Sequence, residues 1–257
     1  MTRMKKPVLE IKPDAGGILK IRPNRFLGIV DIVKPETLRG EKVHILDPGR
    51  LEDILYPGNR VLLKKADNKN RKTKWDLIAG RVGENWVLTD SSYHRKIAEW
   101  AIRNEVIPPF EELEKILPEQ RFGESRLDFL LEKKGNNPEL EENKGAGKRI
   151  WVEVKGCTLS ENGTALFPDA PTTRGKRHVE ELIKALKAGD QALILILIFR
   201  PDAECFAPNR EIDPAFAEAF ERAVEKGVMV YPLVFEYEVE GKTGYLYFKR
   251  EVTLCRA

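Results

Sequence analysis

The sequence is short of cysteine. It has only three cysteines among 257 residues, at positions 157, 205 and 255. Their odd number excludes a complete disulfide framework, and their wide spacing does not match a metal-binding motif. We therefore expect buried, reduced thiols, which fits a reducing cytosol.

Long hydrophobic runs are also missing. The longest apolar run, Ala192 to Phe199, is far too short for a bilayer, which a helix crosses with about 20 residues. The N-terminal residues 1–7 carry positive charge, but no apolar segment follows them, so they do not form a signal peptide. These absences predict a cytoplasmic protein without a membrane partner.

Neither sign of charge dominates. Lys and Arg number 44 against 41 for Asp and Glu, a net charge of +3. Such a small excess does not by itself indicate a nucleic-acid ligand, so any basic surface must come from an uneven distribution of charge. Hydrophobic residues make up 42% of the chain, which is enough for a real core and excludes wholesale disorder.

The first third of the chain alternates short β-rich segments with Gly and Pro turn signals. This spacing is typical of a small sandwich or barrel, and an OB-like β-barrel of five strands is the natural candidate. One helical turn is expected at Leu51 to Leu55. The predicted strands are residues 8–11, 18–21, 26–33, 42–46, 61–64, 77–82 and 86–88.

After Tyr93 the pattern changes to alternating helices and strands, so we place a domain boundary near residue 92. Residues 192–200 are apolar at both parities, which predicts a strand buried on both faces. The polar, Gly- and Asn-rich residues 132–149 are expected to form a long turn. The predicted helices are residues 95–104, 111–117, 175–187 and 214–226, and the predicted strands are 126–131, 150–155, 192–200, 228–238 and 245–252.

Two of these strands carry charged residues in apolar surroundings. Side chains alternate along a strand, so Asp128 lies on the face opposite Leu127 and Phe129. By the same rule, Glu153 and Lys155 share one face of their strand, and the neighbouring valines share the other. If the segment between the strands pairs them as a hairpin, Asp128, Glu153 and Lys155 meet on one surface.

Such a trio is suited to phosphodiester hydrolysis. Two carboxylates, Asp128 and Glu153, bind a hard cation such as Mg²⁺ or Mn²⁺. The metal stabilises charge on phosphate and lowers the pKa of water, while Lys155 orients or deprotonates that water or neutralises the developing charge. A Glu-x-Lys pair on an exposed strand is usually just solvated. On the residues alone, these two interpretations are evenly balanced.

The helix predicted at 175–187 carries a second polar group. Arg174, His178 and Glu181 fall along one edge of its buried stripe, where they can lie over the catalytic strand and face phosphate. Thr172 or Thr173 can cap this helix. The alternative is that these residues only form an exposed, positively charged helix N-terminus. Positive side chains are unfavourable near the positive end of the helix dipole, which favours a role in anion binding.

Basic and aromatic residues also alternate in the predicted barrel. Arg25 precedes Phe26, and Arg50 follows a turn signal. Barrels of this kind bind nucleic-acid strands through cationic grooves and stacked aromatics. For any single residue, an aromatic side chain in the core or a solvated cation remains an equal alternative.

These residues together resemble the sugar fermentation stimulation protein family, SfsA. The resemblance covers about Arg25 to Leu254 and is strongest in three ordered blocks, residues 125–131, 152–159 and 167–182. It implies a DNA-binding protein linked to sugar, notably maltose, metabolism. It also implies an OB-like N-terminal domain, residues 1–92, and a PD-(D/E)XK nuclease-like α/β domain with a central mixed sheet, residues 93–257. The family's nuclease motif maps onto Asp128, Glu153 and Lys155.

The chain departs from the family's pattern in three places. Residues 47–50 read Asp-Pro-Gly-Arg where the family usually has Asn-Thr-Gly-Arg, and an acid there weakens phosphate contact from this loop. Residues 93–95 read Tyr-His-Arg instead of an Ala-Asn-Arg segment. The polar insert at residues 133–148 is longer than expected. These differences bear on the N-terminal surface and on substrate choice more than on the nuclease motif.

Two functions remain in competition. One is a Mg²⁺-dependent nuclease, in which Arg25, Arg50, Arg174, His178 and Glu181 form the nucleic-acid surface. The other is a DNA-binding regulator of sugar metabolism genes that does not cleave. A sugar-binding protein has little support, since no aromatic cluster suggests sugar stacking. DNA is the expected ligand, and the sequence leaves RNA and a homodimeric assembly open.

Overall fold

The structure is a computed structural model and describes residues 6–68, 70–134 and 149–255. Its first part is a run of strands, as the turn-rich sequence predicts. The helical turn expected at Leu51 to Leu55 is present, because Leu55 N donates to Leu51 O at 2.7 Å. The strands are β1 (Leu9–Glu10), β2 (Ala15–Asn24), β3 (Leu27–Lys34), β4 (Leu38–Ile45), β5 (Arg60–Lys65), β6 (Trp75–Val82) and β7 (Asn85–Leu88).

Five of these strands close into the predicted OB-like barrel. β4, β3, β2, β5 and β6 are antiparallel neighbours in that order, and β4 also pairs with β6 in parallel, which closes the ring. Alternate side chains of β3, among them Val30 and Ile32, are fully buried in the barrel, as the period of two along a strand requires.

The remaining chain adds helices to a mixed sheet. β10, β13 and β15 run parallel, and β9, β8 and β16 join them antiparallel. A smaller sheet has the order β11-β12-β14-β17. The elements are α1 (His94–Arg103), β8 (Leu113–Phe122), β9 (Ser125–Lys133), β10 (Arg149–Cys157), β11 (Leu159–Glu161), β12 (Thr164–Phe167), α2 (Thr173–Lys187), β13 (Gln191–Ile198), β14 (Cys205–Pro208), α3 (Pro214–Glu225), β15 (Met229–Glu240), β16 (Thr243–Glu251) and β17 (Thr253–Leu254).

The mixed sheet separates two apolar cores. Strand β13 supplies both of them, since Leu193, Leu195 and Leu197 pack into the core shared with the barrel and α1. Its isoleucines at 194, 196 and 198 pack into the core beneath α2 and α3. This confirms the expectation that residues 192–200 are buried on both faces.

The starts of α2 and α3 are linked to each other. Thr172 Oγ1 accepts from Gly175 N at 3.0 Å and so caps α2, as one of the two predicted threonines. Asp213 caps α3 by accepting from Phe216 N at 2.9 Å, and its other oxygen accepts from Thr172 N at 2.7 Å. The N-terminus of α2 is therefore held in a defined position on the sheet.

Sheet pairing and polar contacts join the barrel to the rest of the chain. β7 pairs with β15, and β1 pairs with β16, so backbone hydrogen bonding crosses the expected boundary near residue 92, which stays a prediction. Arg200 donates to Asp53 at 2.8 Å, and Leu51 N donates to Asp169 Oδ2 at 3.0 Å. These contacts set the geometry of the cleft between the two parts.

The helix predicted at residues 111–117 is wrong. Residues 113–117 instead begin β8, which pairs with β9 through a hairpin whose turn glycine, Gly123, has a φ of +56°. Pairing with β9 overrides the helical preference of the glutamates. Pro118 is tolerated because β8 is an edge strand of the described sheet. The long turn predicted at 132–149 falls largely on residues 135–148, which lie outside the described residues.

The expectation of three reduced thiols is also wrong. Cys205 and Cys255 form a disulfide, and only Cys157 is a free, buried cysteine. The two cysteines are 50 residues apart in the sequence, and the sequence does not show that β14 and β17 are neighbours in the small sheet. Within the described part of the chain, no helix is long and apolar enough to cross a membrane.

Candidate active site

The β9–β10 hairpin brings the predicted carboxylates onto neighbouring strands. Phe129 pairs with Val152 in the antiparallel ladder, so Asp128 and Glu153 occupy the next position along it, one on each strand. Val154 N donates to Asp128 Oδ2 at 2.7 Å, which fixes this carboxylate against β10. Asp128 and Lys155 line an open cleft, and Glu153 is buried beside them with 2% of its surface exposed.

The two oxygens of Glu153 have different environments. Oε1 accepts from Lys155 Nζ at 2.5 Å and from His178 Nδ1. Oε2 is buried and has no hydrogen-bond partner among the described residues. An unpaired buried carboxylate oxygen is costly, and one next to a second carboxylate is what a hard cation would coordinate. The residues present therefore fit Mg²⁺ or Mn²⁺.

The protein supplies few ligands to such a cation. The described residues contain no group of three His, Cys, Asp or Glu side chains arranged to hold a metal. Mg²⁺ accepts this, because it keeps several waters and is often bound through only one or two carboxylates together with substrate phosphates. Asp128 and Glu153 match that requirement.

The two carboxylates are tuned in opposite directions. Burial, and next the negative charge of Glu153, raise the pKa of Asp128 to about 6. For Glu153 burial is also the largest single influence, but Lys155 and His178 together outweigh it and lower the pKa below its usual value. A cation bound between the two would relieve the repulsion that Asp128 experiences.

His178 supports Glu153 from α2. Its Nε2 accepts from Arg174 Nε at 3.4 Å, so the ring proton is on Nδ1, which donates to Glu153 Oε1. The imidazole is buried, which argues against the direct nucleic-acid contact expected from the sequence. Arg174 instead lines the cleft and is available to a phosphate.

Glu181 is also inaccessible to a nucleic acid. It is buried, its Oε1 accepts from Lys184 Nζ at 3.0 Å, and its Oε2 lies against the turn glycine Gly123. Glu181 is one helical turn after His178, so helix periodicity predicts that both lie on one edge of α2. It does not predict that the β8–β9 turn covers Glu181.

The two barrel arginines differ in position. Arg25 is exposed at the β2–β3 turn and lines the same cleft as Asp128, Lys155 and Arg174. Arg50 is also exposed, but it lines two neighbouring grooves instead of the cleft. The cleft has a volume of about 570 Å³ and lies between the barrel loops and the ends of β9 and β10.

Residues that sequence reasoning did not single out also face this cleft. His94 stacks on Phe199 with ring centroids 5.3 Å apart, and it covers Gly156, the residue after Lys155. Burial lowers the pKa of His94 to about 4, so the ring is neutral at pH 7. The only signal for it in the sequence is the Tyr-His-Arg departure from the family pattern.

Two acids also line the cleft, Asp47 from a barrel loop and Asp169 from the segment between β12 and α2. Asp47 accepts from Gly49 N at 2.7 Å, and Asp169 lies so close to Gly49 that a Cβ there would be 2.5 Å from its Oδ2. Burial is the main cause that raises the pKa of Asp47 to about 6, and the charge of Asp169 adds to it. Arg22 holds this loop by donating to Gly49 O at 2.8 Å.

Comparison with known proteins places this geometry in a family. Residues 92–241 match the "Sugar fermentation stimulation protein RE domain", and residues 21–89 match the "SfsA N-terminal OB domain". A sugar fermentation stimulation protein homolog of Methanococcoides burtonii is 56% identical over 251 residues, which cover 96% of this chain and 95% of that protein. The homolog of Thermotoga neapolitana is 44% identical over 247 residues, covering 96% and 98%.

A solved structure agrees with these matches. It is described as "The structure of Pyrococcus Furiosus SfsA in complex with Ca2+", and it aligns with a TM-score of 0.82 at 30% identity. The alignment covers 98% of this chain and 100% of that chain. Sequence and fold thus agree over almost the whole length. The chain belongs to the sugar fermentation stimulation protein family.

Proposed function

We propose that this protein is a nuclease that hydrolyses phosphodiester bonds with the help of Mg²⁺ or Mn²⁺. The observation that carries the proposal is the buried, unpartnered Oε2 of Glu153 beside Asp128. The Pyrococcus furiosus relative in complex with Ca²⁺ adds support, because Ca²⁺ is a hard cation that prefers oxygen ligands. DNA is the expected substrate and RNA the alternative.

Asp128 and Glu153 would hold the metal. When bound, it would supply charge stabilisation at the scissile phosphate and would lower the pKa of water. Val154 N keeps Asp128 in place, and His178 keeps Glu153 in place. The hydrogen bonds fix both carboxylates before any ligand arrives, so little reorganisation is required during the reaction.

Lys155 would act on the attacking water or on the phosphate. Its Nζ is 2.5 Å from Glu153 Oε1, and its side chain lines the cleft. From there it can orient the water or donate to a phosphate oxygen as negative charge develops. Arg25 and Arg174 line the same cleft and would bind flanking phosphates.

The alternative is a DNA-binding regulator of sugar metabolism genes that does not cleave. The family's name favours it, and Arg25, Arg50 and Arg174 would serve a binder as well as a nuclease. A pure binder, however, gains nothing from two carboxylates beside the phosphate, since they repel it.

A cleavage assay separates the two functions. Purified protein is incubated with end-labelled single- and double-stranded DNA and RNA in Mg²⁺, in Mn²⁺ and in EDTA. We expect products with either metal and none in EDTA, and we expect Asp128→Asn to remove them. Glu218→Gln, which neutralises an exposed acid on α3, is the matched control and leaves cleavage unchanged. Binding without products in any metal would leave the regulator as the function.

A further inference from the structure

A second groove lies on the barrel beside the active-site cleft. It has a volume of about 560 Å³ and runs between the end of β2 and the loop that follows β4. Among the residues that line it are Ile21, Arg22, Arg25, Arg50, Glu52 and Tyr56.

Two of the most exposed large apolar side chains of the described residues line this groove. Four large hydrophobic side chains of the described residues are about half exposed: Ile21 at 52%, Phe26 at 51%, Val33 at 49% and Tyr56 at 47%. Ile21 and Tyr56 line the groove, and Phe26 is next to Arg25 at the tip of the β2–β3 hairpin. Tyr56 therefore presents a half-exposed aromatic ring in the groove, and a second half-exposed ring, Phe26, directly follows the groove residue Arg25.

The walls of the groove are positively charged. Arg22, Arg25 and Arg50 line it, against one acid, Glu52. Arg22 also donates to Arg25 O at 2.9 Å and to Gly49 O at 2.8 Å, so it ties the hairpin to the loop and stiffens both walls. The groove thus combines apolar surfaces with a cationic rim.

The groove is continuous with the active site. Arg25 lines both the groove and the cleft that contains Asp128 and Lys155. A polyanion bound along Arg50 and Arg25 would therefore reach the carboxylates with its next phosphates. This continuity and the charge favour a nucleic acid over an apolar peptide as the occupant.

We infer that this groove binds single-stranded nucleic acid, with unstacked bases against Tyr56, Phe26 and Ile21 and with phosphates along Arg50 and Arg25. The inference rests on the proposed function, because it names the class of substrate that enters the same cleft. Aromatic side chains reach base faces only where the bases are unstacked, since a duplex presents only base edges in its grooves. A strand end or a single-stranded region is then the preferred substrate.

The test measures binding in EDTA, where cleavage is absent. Fluorescence anisotropy compares a labelled oligothymidine, a duplex of equal length and an abasic strand of equal length. We expect the oligothymidine to bind more tightly than both. Phe26→Ala and Tyr56→Ala should each weaken oligothymidine binding by about 5- to 100-fold, which is the range for loss of one stacked base. They should change binding of the abasic strand little.

Matched variants separate stacking from loss of fold. Val33→Ala removes an equally exposed apolar side chain that neither lines the groove nor is next to a residue that lines it, and it should leave binding unchanged. Tyr56→Phe keeps the ring and should bind like the parent. Because all of these side chains are exposed, the variants should keep the thermal stability of the parent.

Several outcomes would overturn the inference. Equal affinity for oligothymidine and the abasic strand would mean that phosphates alone are recognised, and unchanged affinity of both alanine variants would exclude the groove. A change in oligomeric state in the alanine variants, seen by size exclusion, would identify a protein interface instead. Duplex cleaved as fast as single strands would refute the inference and leave the nuclease intact. Tight single-strand binding without cleavage in Mg²⁺ would refute only the nuclease.

Discussion

At the scale of single residues, Asp47 shows how a buried acid affects stability. Burial raises its pKa from 3.8 to about 6, so the native protein holds this proton to a higher pH than the unfolded chain does. Raising the pH from 3.8 to about 6 and above therefore destabilises the native state relative to the unfolded state. Asp47→Asn keeps an acceptor for Gly49 N and should raise the free energy of unfolding at pH 8 by about 1–3 kcal/mol.

The measurement is urea unfolding of both proteins at several pH values. The advantage of Asp47→Asn should shrink as the pH falls from 6 towards 4, because the native carboxyl is then protonated and the pH approaches the pKa of 3.8 at which the unfolded carboxyl also takes up its proton. Asp67→Asn, at an exposed position, should give a constant and small difference. A gain from Asp47→Asn that is independent of pH would contradict this explanation.

His178 gives a second prediction at the residue scale. Because it orients Glu153 from behind, His178→Ala should weaken Mn²⁺ binding and lower kcat by about 10–100-fold, with little change in KM or in metal-free binding of nucleic acid. His178→Asn, whose amide can take the position of Nδ1–H, should recover part of the loss. Calorimetric titration with Mn²⁺ and steady-state kinetics test this. An effect on KM alone would instead indicate that His178 contacts the nucleic acid directly.

Part of this site can be predicted from the sequence, and part cannot. Alternation along two short strands is enough to predict that Asp128, Glu153 and Lys155 share a surface. Helix periodicity also brings His178 and Arg174 to one helix edge. It does not reveal what faces that edge, so the bond between His178 and Glu153 and the burial of Glu181 under Gly123 appear only in three dimensions.

At the scale of elements, β10 depends on close contact with α1. A Cβ at Gly156 would lie 2.1 Å from Cε1 of His94, so Gly156→Ala must displace this ring. We expect a loss of about 1–3 kcal/mol in unfolding free energy, as for other overpacked sites, together with reduced cleavage. Gly16→Ala is the control, because its nearest atoms are 4.0 Å away.

A double variant tests the cause of that loss. His94→Ala removes the colliding ring, so the cost of Gly156→Ala should be smaller in the His94→Ala background than in the parent. Thermal unfolding of the four proteins gives this coupling energy. Strictly additive losses would mean that the two residues do not interact in this way.

The longer elements follow from the sequence, and the short or non-local ones do not. The helices α1, α2 and α3 have enough periodic residues to be predicted, and the continuous apolar run of β13 predicts that strand. Strand β8 has helical local preferences and is set by its pairing with β9. Strands β14 and β17 are four and two residues long and pair only with strands that are distant in the sequence.

At the scale of the whole molecule, the disulfide closes the C-terminal end of the chain onto β14. Cys205 and Cys255 are 50 residues apart, and a loop of this size corresponds to about 4 kcal/mol in the chain-entropy treatment. Thiol titration of the unreduced protein in denaturant should give one free thiol, from Cys157, and three after reduction. Cys255→Ser should lower the melting temperature. Three titratable thiols before reduction would mean that the pair is not bonded.

The central claim is that Asp128 and Glu153 form a metal-dependent nuclease site, and paired cleavage and binding assays on Glu153→Gln test it most directly. Cleavage in Mg²⁺ should be lost, because the metal site loses an anionic ligand. Binding of nucleic acid in EDTA should stay equal or tighten, because a negative charge beside the phosphate is removed. Lys155→Met should also lose cleavage but bind more weakly. A Glu153→Gln variant that cuts as fast as the parent would contradict the account.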